Sequence, residues 1–105
     1  MRAIAKKLNV PLIDLTQLTT TLYESWGDEK SRQAFVQYPA NTFPAQTEKL
    51  EDNTHFNNFG ANEIALCVLQ GIKDNNLTLT EYITSSFQEY NPNKPNNSKD
   101  WEVPL

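Results

Sequence analysis

The sequence holds a single histidine, His55, and an aspartate stands three residues before it in Asp52-Asn53-Thr54-His55-Phe56-Asn57-Asn58-Phe59-Gly60-Ala61. In a turn that leads into a helix, this spacing brings a carboxylate oxygen against one imidazole nitrogen. The opposite ring nitrogen is then free to take a proton. That is the base-and-orienter half of a Ser-His-Asp triad, which is recognised by roles and geometry and not by chain position. The other half, an activated serine and donors for an oxyanion, is not found in the chain.

The same residues also suit a plain surface histidine near a helix start, with Asp52 favouring the positive end of the helix dipole. Three features favour the chemical reading. The pair follows a long loop, the histidine precedes a residue suited to cap a helix, and Phe56 and Phe59 could wall a pocket. Glu51, Asp52 and His55 could be drawn as metal ligands, but one histidine without a second cluster argues against it. Asp14 suits a helix cap better than chemistry, Ser25 a helix surface, Trp26 the core, and Trp101 an anchor for the tail.

The chain of 105 residues has room for one domain or less, and its 38% apolar content allows only a modest core. A net charge of −4 with no basic run argues against nucleic acid as a partner. The longest apolar run, Ile64 to Leu69, is far short of a membrane span, and no signal-peptide pattern opens the sequence. Cys67 cannot form an internal disulfide and reads as a small buried hydrophobe.

Several elements must position the histidine. Arg2 to Leu8 read as a helix end stopped at Asn9. The nearly continuous apolar run Val10-Pro11-Leu12-Ile13-Asp14-Leu15 predicts a strand buried on both faces, with Pro11 at its start. Such a strand needs neighbours, and only Phe35 to Tyr38 offers a second one. Thr16 can cap a helix to about Trp26 with Leu15, Leu18, Leu22 and Trp26 on one stripe, ended by Gly27. Asp28 opens a short helix to Ala34. Gln37 to Leu50 reads as a long loop, which favours an active-site role. Asn57 then caps a helix whose apolar face carries Ala61, Ile64, Ala65, Val68, Leu69 and Ile72. A capping box at Thr78 to Glu81 predicts a last short helix. Beyond Tyr90 the composition is linker-like, with Trp101, Val103 and Leu105 as possible tacks.

The stretch from Asp52 to Ala61 resembles the last motif block of the SGNH (GDSL) hydrolases, and within them the rhamnogalacturonan acetylesterases. Ala5 to Leu15 is similar to the helix end and final sheet strand of the same enzymes. The likeness spans residues 1 to about 75 and is strongest over 48 to 66. It implies an α/β fold: the C-terminal fragment of a flavodoxin-like three-layer α/β/α sandwich, mostly helical, with one clear parallel-type strand at 10–15. Residues 1–76 would belong to the hydrolase domain, and 77–105 would form a short helix and extended tail. The resemblance implies Asp52 as triad carboxylate and His55 as general base, with no cofactor or metal. It also implies a pectin-type acetylated polysaccharide or oligosaccharide as substrate of the complete enzyme, and a secreted or periplasmic setting.

The family's Gly-Asp-Ser turn and the glycine and asparagine of its oxyanion hole have no counterpart here. None of Ser25, Ser31, Ser85, Ser86 and Ser98 follows Gly-Asp. The expectation is therefore the C-terminal segment of a carbohydrate O-acetylesterase, inactive alone, whose exposed strand would pair with the missing N-terminal half or with a second copy. The alternative is a non-catalytic accessory module or inactive remnant of the same fold.

Overall fold

The computed structural model describes residues 1–102. The elements follow in the order α1 (Arg2–Leu8), α2 (Leu15–Ser31), a 3-10 turn (Arg32–Ala34), β1 (Phe35–Tyr38), β2 (Leu50–Phe56), α3 (Asn58–Asp74) and a second 3-10 turn (Thr78–Tyr82). The expected Val103 and Leu105 tacks lie outside the described residues.

Residues 10–15 do not form a strand. Val10 to Asp14 run as an irregular connection, and Leu15 is already the first residue of α2. The described sheet has two strands, β1 and β2, and is antiparallel. The parallel-type strand and the three-layer sandwich built on it are thus corrected to a three-helix, two-strand α/β arrangement. Local chemistry accounts for the difference. The Val10 N–H closes α1 on the Ala5 carbonyl at 3.0 Å. Pro11 has no N–H to give a ladder. The Asp14 carboxylate accepts from Gln17 N–H at 3.2 Å and caps α2, while the Arg2 guanidinium binds both its oxygens. The apolar run serves packing instead, because Ile13 lies against α3 at Gly71.

The α2 helix kinks at Gly27, whose φ of 74° and ψ of 176° are non-helical. Nothing lies within 4 Å of a β-carbon added there, so backbone conformation and not space calls for glycine. Leu22 of α2 and Cys67 of α3 are fully buried against each other's helices, with Tyr90 from the tail beside them. Burial pushes the Cys67 thiol up to about 11, which keeps it protonated and inert.

The most deeply buried face of α3 is offset from the expected aliphatic stripe, of which Ile64, Val68, Leu69 and Ile72 are half-buried. It is Phe59, Gly60, Glu63, Cys67 and Gly71, while Ala61 and Ala65 are exposed. Small residues at steps of about four let the helix approach its neighbours closely. A β-carbon on Gly60 would stand 2.0 Å from the Ala34 carbonyl oxygen. Glu63 is fully buried and accepts from Tyr90 O–H at 2.7 Å, Asn96 Nδ2 at 2.7 Å and Asn96 N–H at 3.1 Å. Those bonds draw the segment after Tyr90 onto α3 as a strap, where the composition had suggested a free linker. The expected capping box at Thr78 makes no side-chain bond, and that segment is a 3-10 turn.

Gly60→Ala forces a β-carbon into backbone and is expected to cost about 3 kcal/mol. Gly71→Ala puts a β-carbon 2.5 Å from Ile13 Cγ2 and 3.3 Å from its Cβ, the stiff branched base of that side chain, so it also destabilises, but by less than Gly60→Ala because a side chain and not backbone must move and helix propensity returns about 1 kcal/mol. Urea titration of both variants reads the difference, and equal midpoints would contradict the close approach at Ala34. Glu63→Ala leaves buried donors unmatched and should remove hydrogen-exchange protection from the Asn96 amide while sparing β1 and β2.

Candidate active site

The histidine sits in a strand, where the sequence suggested a turn. Phe35 pairs with Phe56, Gln37 with Glu51 and Tyr38 with Leu50. Val36 alone therefore faces Asp52, Asn53, Thr54 and His55, and these four bulge from the ladder. The Gln37 side-chain amide donates to Asn53 Oδ1 and holds the bulge to β1. Phe35 and Phe56, at its base, stack with ring centres 5.2 Å apart.

Inside the bulge Asp52 is fully engaged. Its Oδ1 accepts from the backbone N–H of Thr54 at 2.6 Å and of His55 at 2.9 Å. Its Oδ2 lies 2.7 Å from His55 Nδ1. The His55 backbone amide, then the His55 ring, then the Thr54 amide hold the Asp52 carboxyl down at about 2. An ionised carboxylate only accepts, so Nδ1 carries a hydrogen and the Nε2 lone pair of the neutral ring is free. The His55 side chain is 77% exposed, and Asp52 is its hydrogen-bond partner among the described residues. Such a pair can take a proton at Nε2 and hold the resulting imidazolium.

The preceding loop is built around Gln46. Its Oε1 accepts from the Thr42 and Phe43 amides, both at 3.0 Å, and its Nε2 donates to the Pro39 and Glu48 carbonyls. Asn57 fixes the chain after the histidine. Its Oδ1 caps α3 at Gly60 N–H, 2.9 Å away, and its Nδ2 donates to the Gln33 and Phe35 carbonyls at 2.7 and 3.0 Å. Phe56 and Phe59 line one open groove of about 480 Å3 together with Tyr38, Phe43 and Trp101.

Other sequence candidates lie elsewhere. Glu51 pairs with Lys49 at 2.9 Å, and no group of three or more His, Cys, Asp or Glu among the described residues could hold a metal ion. The Ser25 hydroxyl donates back to the Thr21 carbonyl within α2. Trp26 packs on Phe59 at 5.6 Å, and Trp101 reaches the same ring at 5.8 Å. No described helix is long and apolar enough to cross a membrane. Sequence reasoning missed the second task of Asn57 and the burial of Glu63. The spacing of Gly60, Cys67 and Gly71 was the available signal for a tightly packed face.

Two curated relatives from Bacillus subtilis (strain 168) match the chain. Rhamnogalacturonan acetylesterase RhgT is 44% identical over 85 residues, which are 81% of this chain and 37% of the relative. The probable rhamnogalacturonan acetylesterase YesY is 37% identical over 83 residues, 79% of this chain and 34% of the relative. The chain thus spans about a third of the length of these relatives. No family model and no solved structure matches it.

The depressed Asp52 pKa fixes a pH dependence. A carboxyl that titrates lower folded than unfolded, where about 3.9 applies, stabilises the fold above that value. That contribution is lost as pH falls through about 2. In His55→Ala the two backbone donors remain, so the carboxyl midpoint should rise only part of the way. Carbon-13 NMR of the Asp52 carboxyl checks this, and a midpoint in His55→Ala equal to that of free aspartate would contradict the backbone cap.

Proposed function

The chain belongs to the SGNH (GDSL) rhamnogalacturonan acetylesterase family, and we propose that it supplies the catalytic carboxylate and base of a serine esterase that deacetylates a pectin-type carbohydrate. The observation that carries this reading is the 2.7 Å contact of Asp52 Oδ2 with Nδ1 of a solvent-facing His55. In the complete enzyme Nε2 takes the proton of a serine hydroxyl as its oxygen attacks the acetyl carbonyl. His55 then returns that proton to the departing sugar oxygen, and the acyl-serine is hydrolysed by a water activated at the same nitrogen. Asp52 keeps the productive tautomer and balances the imidazolium charge.

The serine and oxyanion donors are assigned to polypeptide beyond this sequence. The partial span of the relatives supports that assignment, as does the molecule's surface. Met1, Ile4, Leu8 and Val10 are all more than half exposed along α1 and the segment after it. The radius of gyration, 16.3 Å, exceeds the roughly 13 Å usual for a compact chain of this length. This open apolar end supplies a surface on which the remainder of the hydrolase domain could dock. A non-catalytic remnant is the competing reading, favoured by the lack of any described serine bonded to His55.

The 105 residues alone should hydrolyse p-nitrophenyl acetate no faster than an equal concentration of imidazole. Fusion to the unmatched remainder of a matched relative should restore turnover. In that enzyme His55→Ala should lower kcat by about 10⁴-fold, and Asp52→Asn by about 10²- to 10⁴-fold through the wrong tautomer. Restored turnover that is indifferent to His55→Ala would overturn the assignment. So would saturable activity of the isolated chain that is lost on mutating one of its own serines.

A further inference from the structure

The bulge that carries Asp52 and His55 takes its internal geometry from its own residues but its location from elsewhere. Both Asp52 oxygens are engaged by Thr54 and His55, inside the bulge. None of those bonds sets where the pair stands relative to the rest of the fold. The ladder fixes the two ends, at Glu51 opposite Gln37 and at Phe56 opposite Phe35, and leaves Val36 alone opposite residues 52–55. A span lifted out of its ladder in this way can pivot about its ends with its internal hydrogen bonds unbroken.

Two side chains oppose that pivot. Beyond Phe56, Asn57 pins the chain through the Gln33 and Phe35 carbonyls and the Gly60 N–H. Within the bulge, the Gln37 amide donates to Asn53 Oδ1. Among the described residues this is the one side-chain hydrogen bond that joins residues 52–55 to another part of the protein. Gln37 is well placed for the task. Its backbone is paired with Glu51, so the side chain starts from a fixed base, and Asn53 lies two residues further along the partner strand. Such diagonal neighbours in a ladder stand about 7 to 8 Å apart, a gap within reach of a long side chain.

Proton transfer tolerates little displacement. The base nitrogen must come within hydrogen-bond reach of the hydroxyl it deprotonates, and a shift of about 1 Å costs on the order of a hundredfold in rate. We propose that Gln37 is a positioning residue for the esterase reaction, holding the Asp52–His55 pair at the point of proton transfer through its bond to Asn53. It makes no hydrogen bond to either member of the pair. The proposal deepens the esterase reading and rests on it for the reaction. Asn57 is the less informative probe, since losing it also uncaps α3 and strips two carbonyls of a donor.

The test has two arms. In the 105-residue chain, Gln37→Met removes the donor at similar side-chain length. Carbon-13 NMR should find the Asp52 carboxyl midpoint as in wild type, while nitrogen-15 relaxation finds the Thr54 and His55 amides newly mobile. A midpoint moved toward that of free aspartate would overturn the proposal, because Gln37 would then orient the pair and not place it. Amides as rigid as in wild type would also overturn it. In the fused enzyme, Gln37→Met should lower kcat for p-nitrophenyl acetate by about ten- to a hundredfold with KM unchanged. Asn53→Ala removes the same bond without altering β1 and should do the same, and the double variant should lose no more than either single one. Additive losses, an unchanged kcat, or a raised KM with kcat intact would each sink the assignment. His55→Ala, run alongside, reports on the esterase reading by itself. Turnover that needs His55 but is indifferent to Gln37→Met defeats the positioning role alone.

Discussion

The approach of α3 to the Ala34 carbonyl is the constraint on which the rest of the structure depends. Gly60 has no β-carbon there because none would fit, and the Asn57 N–H donates to the same carbonyl at 3.1 Å. The Asn57 side chain then ties the 3-10 turn, the start of β1 and the first turn of α3 into one junction. Since β2 ends one residue earlier, at Phe56, this junction sets where the histidine leaves the sheet. Backbone groups buried at such a junction must all find partners, and the Asn57 side chain supplies three of the bonds itself.

From the junction a file of aromatic rings runs through the molecule. Phe56 meets Phe35, Phe35 meets Tyr23, Tyr23 meets Trp26, Trp26 meets Phe59, and Phe59 meets Trp101, each pair 5.2 to 6.1 Å apart. Each contact contributes about 0.5 to 1.5 kcal/mol beyond area burial. The file joins sheet, α2, α3 and strap where few aliphatic side chains are fully buried. Stability and site geometry therefore share the same side chains.

What could be read from the sequence was mostly local. The break at Gly27, the cap at Asn57 and the burial of Cys67 follow from short-range chemistry, and they are where the residues suggested. The apolar run at 10–15 misled because doubly buried strands and packed connections share a composition, and periodicity cannot separate them. Pro11 and the capping role of Asp14 were the residues that decided it. The stripe on α3 misled for a related reason. Hydrophobicity marks the larger side chains, whereas the closest packing selects small ones, and a buried carboxylate such as Glu63 is legible only once Tyr90 and Asn96 are in place. The β1–β2 pairing depends on contacts across the Gln46 loop, and the strand Leu50–Phe56 is polar enough to read as coil.

The bulge gives the Asp52–His55 pair an unusual independence. Every bond that orients the carboxylate comes from within four consecutive residues, so the angle between acid and imidazole is written into a short cassette and not into the distant fold. Such a cassette is portable. It can be carried to a new scaffold, or kept through recombination of chain segments, with its internal geometry intact. The surrounding protein then has only to deliver the cassette to the right place, and placement is a looser demand than orientation.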